Sequence, residues 1–80
     1  MKVLLFAQLR ELLGCSELQI DGPYHHVADL RLALQEKGTL WQEYLAPGKA
    51  LVAVNQTLAD DRHGLGPNDE VAFFPPVTGG

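Results

Sequence analysis

Pro75 and Pro76 follow directly on the apolar run Glu70 to Phe74, and no strand can continue through them. Proline has no amide hydrogen to give a ladder, and its ring fixes φ. The chain therefore divides into a folded part, residues 1–74, and a short segment, residues 75–80. The two prolines favour a stiff, extended course, and six residues span roughly 20 Å at about 3.3–3.6 Å each. That length suffices to enter a neighbouring protein. Gly79 and Gly80 carry no side chain, so the backbone there can pass a narrow channel and be approached closely. A terminal carboxylate titrates at about 3.3–3.7 and is inert to substitution until it is activated, for instance as an acyl adenylate. A Gly-Gly end alone also fits a frayed terminus or an expression remnant. The Pro-Pro pair and the aromatic strand before it argue instead for a tail that is aimed.

With 80 residues the chain is one domain. A domain this small buries only about 60–65% of the surface its unfolded chain exposes. A deep internal active site has no room, and function falls to an edge, a tail or a surface patch. Apolar residues make up 46% and charged residues 20%, which excludes a disordered chain. The formal net charge of −4, with no basic run to offset it, argues against a nucleic-acid partner and for a basic protein groove. A single cysteine, Cys15, excludes a disulfide framework and a cysteine-based metal site, and it fits a reducing compartment. Met1 to Phe6 looks like the start of a signal peptide, but Arg10 and Glu11 interrupt it too early. No stretch approaches the roughly 18–20 apolar residues that cross a bilayer. The expectation is a soluble, cytoplasmic protein.

Lys2 to Ala7 reads as a buried strand and Gln8 to Leu13 as one or two helical turns stopped by Gly14. Glu17 to Ile20 alternates as a second strand, and Asp21-Gly22-Pro23 is turn chemistry. Val27 to Lys37 is the clearest helix, with Val27, Leu30 and Leu34 on one stripe, Asp29 in its first turn and Gly38 ending it. Leu40 to Leu45, opened by Thr39, is a shorter helix stopped by Pro47-Gly48. Leu51 to Val54 is a strand, Asn55-Gln56 a turn, Thr57-Leu58 extended, and 64–69 a loop before the last strand. This order implies an α+β domain, one mixed sheet covered on one face by the long helix.

Strand parity adds a clue. If Lys2 faces water, so do Leu4 and Phe6, and Val3 and Leu5 face the core. In the last strand Glu70, Ala72 and Phe74 share the outer face, opposite Val71 and Phe73. Phe6 and Phe74 on one uncovered face suggest a docking surface; rings folded against loops of their own domain fit the same pattern.

The end of the chain, Asp69-Glu70-Val71-Ala72-Phe73-Phe74-Pro75-Pro76-Val77-Thr78-Gly79-Gly80, resembles the signature of the small, sulfur-carrying subunits of molybdopterin synthase, the MoaD family. Phe6-Ala7-Gln8-Leu9-Arg10-Glu11 and Ala53-Val54-Asn55-Gln56 resemble it too. The resemblance implies a β-grasp, ubiquitin-like fold with the first and last strands side by side. It also implies a chemistry. An activating enzyme adenylates Gly80 with ATP, a sulfur donor turns it into a thiocarboxylate, and the sulfur passes to cyclic pyranopterin monophosphate, building the dithiolene of molybdopterin. Gly79 keeps the tail thin. Phe6, Leu58 and Phe74 form the partner-binding patch, and Pro75, Pro76, Val77 and Thr78 lead into the large subunit. Two small and two large subunits make the synthase, whose catalytic residues lie on the large one. No cofactor is bound stably, and no metal. A carrier for thiamine or tRNA thiolation, or a ubiquitin-like modifier of other proteins, would share the fold and the glycines. One departure stands at His26, which takes the helix N-cap position where such proteins often have Ser or Thr.

Other candidates carry less. His25, His26 and His63 lack a carboxylate or cysteine at ligand spacing and read as exposed or capping. Cys15 has no adjacent cation to activate its thiol and reads as partly buried packing. Asp60-Asp61 and Asp69-Glu70 adjoin turns and read as solvated, and Trp41 and Tyr44 read as packing on the second helix.

Overall fold

Alternating apolar residues build a five-stranded mixed sheet in this computed structural model, which describes residues 1–76. The elements in chain order are β1 (Lys2–Leu5), α1 (Ala7–Leu13), β2 (Glu17–Gln19), α2 (Val27–Gln35), α3 (Thr39–Tyr44), β3 (Leu51–Val54), β4 (Thr57–Ala59) and β5 (Glu70–Phe74). The sheet order is β2-β1-β5-β3-β4. β1 and β5 lie side by side and parallel, and the other neighbouring strands are antiparallel. A parallel pair needs a long crossover, and here the whole middle of the chain supplies it.

The period of two sorts the strands as parity predicts. Val3, Leu5, Val52, Val54, Val71 and Phe73 are buried beneath the helices, where Leu9, Val27, Leu30, Leu34 and Leu45 meet them. Phe73, the largest of the fully buried side chains, sits in the central strand.

Several boundaries differ from the sequence reading by a residue or two, and three of them have a clear local reason. β1 stops at Leu5, because the chain turns at Ala7 with a left-handed φ of 54°, and the still extended Phe6 caps α1. α2 ends at Gln35 because the Glu36 and Lys37 amides turn back on Ala33 and Leu34 in a tighter last turn, while Gly38 caps the start of α3 rather than the end of α2. β4 runs on to Ala59, packed against the core. His26 does cap α2, its amide donating to Asp29 Oδ2 at 3.1 Å.

Candidate functional site

The face of the sheet turned away from the helices is the candidate site, and its geometry follows from the register. Leu4 lies opposite Ala72, Ala72 opposite Ala53, and Ala53 opposite Leu58, a row crossing four strands. Leu51 lies opposite Phe74. The Phe6 amide donates to Phe73 O at 3.1 Å, which extends the β1–β5 pairing one residue and brings Phe6 alongside Phe74.

The face is graded. At one end Lys2 stands between Glu17 at 3.7 Å and Glu70 at 3.9 Å, and the Asn55 amide donates to Glu70 O. At the other end Phe6, Phe74 and Leu51 are apolar, and β5 there passes into Pro75-Pro76. Phe6 is 46% exposed and Leu58 69% exposed. Apolar groups this open, gathered on one face, mark a surface made to be covered. Pro75 is half-buried and Pro76 exposed. Val77, Thr78, Gly79 and Gly80 lie outside the described residues.

Parity put Phe6 and Phe74 on one face, and the family resemblance put their strands side by side. Leu58 came only with the family resemblance, because its face depends on the turn between β3 and β4. Asn55 and Gln56 make that turn with φ of 51° and 69°, the two-residue hairpin geometry whose twist matches the strands. Sequence reasoning missed Leu51, 38% exposed, although alternation with buried Val52 and Val54 was the signal for it.

The turn is tied to the start of β5. Asn55 Nδ2 donates to Asp69 Oδ1 at 3.0 Å, and Asn55 Oδ1 accepts from the Glu70 amide. The Gly66 amide donates to Asp69 Oδ2 at 2.7 Å. That backbone bond first, and the Asn55 amide second, hold the Asp69 carboxyl below the usual carboxylate range.

Arg31 was not foreseen at all. Only 4% exposed, it donates through Nη1 to Leu45 O at 2.8 Å and Ala50 O at 3.1 Å, and through Nε to Asp61 Oδ1 at 3.0 Å. Its guanidinium lies 5.3 Å from the centre of the Phe73 ring. The loop it holds, residues 46–50, borders the root of the tail. Position 31 falls four residues after Val27 on the buried stripe, whereas Leu32 falls off it and is 62% exposed; the helical period was the available signal.

No group of three or more His, Cys, Asp or Glu side chains among the described residues is placed to hold a metal. Nor is any helix among them long and apolar enough to cross a membrane. His25, His26 and His63 are exposed, and Cys15 is half-buried against the core.

Parallel first and last strands at the centre of a five-stranded sheet, packed on α2, define a ubiquitin-like protein of the β-grasp type. The chain belongs to the ThiS family, whose model matches residues 3–80. It is 48% identical to the molybdopterin synthase sulfur carrier subunit of Escherichia coli, over 99% of this chain and 98% of that one. The fold superposes on small archaeal modifier protein 1 of Methanosarcina acetivorans with a TM-score of 0.78 at 29% identity, covering 99% of this chain and 94% of that one. It also superposes on a chain from the complex of subunits 1 and 2 of the molybdopterin-converting factor of Helicobacter pylori, with a TM-score of 0.69 at 29% identity over 99% and 96% of the two chains.

Proposed function

We propose that this chain is the sulfur-carrying small subunit of a molybdopterin synthase, with Gly80 as the carrier group. The carrying observation is the apolar end of the open sheet face, which runs into Pro75-Pro76 and the Gly-Gly pair, in a chain 48% identical to a named sulfur carrier. A docking face at the root of a thin tail lets a partner hold the domain and take the tail at once.

The chemistry follows from the end group. The Gly80 carboxylate attacks the α-phosphorus of ATP on an activating enzyme, and pyrophosphate leaves. A sulfur nucleophile from the donor then adds at the acyl carbon, and AMP leaves with the electron pair. The resulting thiocarboxylate is nucleophilic and unhindered, since neither glycine adds bulk. On the large subunit its sulfur passes to cyclic pyranopterin monophosphate. Phe6, Leu58 and Phe74 supply the docking contact in both complexes, and Pro75 to Gly79 thread the tail. This chain contributes the acyl group and its presentation; the large subunit contributes the catalytic side chains. Two small and two large subunits, working in the cytoplasm, complete the reading.

Incubation with ATP, the activating enzyme and a sulfur donor tests it. Intact-mass measurement should find one oxygen replaced by sulfur, at Gly80. A mass that stays unchanged under conditions that load an authentic carrier would defeat the proposal.

The likeness to small archaeal modifier protein 1 favours one second reading, attachment of Gly80 to lysines of other proteins. It predicts slower-migrating conjugates in cells that vanish when Gly80 is deleted.

A further inference from the structure

We propose that Leu12 and Tyr44 are positioning residues for the tail: with the turn at 46–49 they seat Pro75-Pro76 in a groove and so fix the direction in which the chain leaves the domain; this rests on the reading of Gly80 as the carrier group. β5 ends at Phe74, yet Pro75 beyond it is half-buried. Its cover comes from outside the sheet. Leu9 and Leu12 of α1, Tyr44 at the end of α3, and Gly48 and Lys49 of the turn line one groove with Pro75 and Pro76.

The groove suits prolines. Neither Pro75 nor Pro76 has an amide hydrogen, so stepping out of the ladder forfeits no donor. A preset φ means that little entropy is lost on seating them. Proline-rich segments dock in apolar, aromatic-lined grooves, and here the same chain supplies both the segment and the groove. Leu9 and Leu13 pack into or against the core, whereas Leu12 is 38% exposed and Tyr44 half-buried.

Both walls are held. α1 starts from the left-handed turn at Ala7 and closes on Gly14, whose amide donates to Arg10 O at 3.0 Å. It packs against α3 and β5. Across the groove, Arg31 Nη1 donates to Leu45 O and to Ala50 O, pinning the turn at both ends. Inside the turn the Lys49 amide donates to Ala46 O at 2.9 Å. Gly48 takes a φ of 86°, which a side chain would strain.

A seated root matters because patch and tail must engage one partner together. Phe6, Phe74 and Leu51 lie on the open face, while residues of α1 and α3 wall the groove. Pro75-Pro76 therefore leaves between two fixed surfaces. A tail held at its root enters a partner in one orientation relative to the patch. A root free to swing spreads the acyl carbon over many. Misplacement by about 1 Å can cost on the order of 100-fold in rate.

The test has a structural and a kinetic arm, both on the full chain. By NMR, ring protons of Pro75 or Pro76 should show nuclear Overhauser contacts to the Leu12 methyls or the Tyr44 ring. Their absence overturns the proposal. In the kinetic arm the activating enzyme, ATP and a sulfur donor load the chain at a temperature where every variant is folded, with the chain as the varied substrate. Leu12→Ser and Tyr44→Ser should each lower kcat by about 10-fold. KM, set by the docking patch, should stay within about 2-fold. Leu12→Met and Tyr44→Phe should keep the parent rate, and so should Leu32→Ser, an exposed leucine on α2 outside the groove. Unchanged kcat in both groove variants, a change in KM alone, or an equal loss in Leu32→Ser overturns the proposal. A parent chain that shows the contacts but takes up no sulfur supports the seat and counts against the carrier reading alone.

Discussion

Arg31 ties α2, which carries it, to the segment 45–50, to Asp61 and to the Phe73 ring through one side chain. Breaking a buried ion pair from one side costs about 3–5 kcal/mol, and here Leu45 O and Ala50 O would also lose their donor. Arg31→Met should therefore lower the free energy of unfolding by about that amount, read from the urea midpoint. A loss under about 1 kcal/mol would mean that the loop finds other donors. Asp69 makes a prediction about acid. Its folded carboxyl titrates below its unfolded one, so its contribution is fully present above the unfolded value of 3.8 and is lost as pH falls through the lower folded one. Asp69→Asn should remove that part of the acid dependence, so that melting temperature falls less steeply below pH 3.8 than in the parent chain. Equal slopes in the two proteins would assign the acid loss elsewhere.

Within one strand, β5, neighbouring positions serve opposite ends. Phe73 is fully buried, and Phe73→Ala should cost about 3–5 kcal/mol of stability. Phe74, half-buried on the open face beside Phe6, should cost less on truncation but lose affinity for the large subunit. The two variants, compared by urea unfolding and by calorimetric titration, separate packing from docking. The turn after β3 holds Gln56 at a left-handed φ of 69°, where an L side chain costs about 1–2 kcal/mol. Gln56→Gly should stabilise by about 0.5–1 kcal/mol after the added flexibility of the unfolded chain is counted. The strands were legible because a period of two needs only a few residues to declare itself; β3 and β5 have the bounds that alternation and Pro75 dictate. Helix ends were less so. Lys37 and Gly38 suit a helix C-terminus by chemistry, but the short connection to α3 takes both residues for its own turn.

At the scale of the whole molecule, helices close one face of the sheet, and the other grows more apolar toward the tail. On the proposed function, an acidic domain of net charge −4 would meet its partner through this apolar patch, with charge guiding the approach and burial holding the complex. Leu58→Asp should leave stability within about 0.5 kcal/mol and weaken large-subunit binding by about 10-fold or more; equal affinity would move the interface elsewhere. The tail, residues 75–80, was legible as a separate segment because Pro75-Pro76 must end a strand. The extent of the patch was not, because Leu51 and Leu58 join it only through register and the hairpin turn. The central claim is that sulfur travels on Gly80, and a single-turnover transfer reads it directly. Chain loaded with radiolabelled sulfur is mixed with large subunit and cyclic pyranopterin monophosphate. The label should leave the protein for the dithiolene as Gly80 returns to a carboxylate. Label that stays on the chain while molybdopterin forms, or formation that proceeds as well with a chain lacking Gly80, would contradict it.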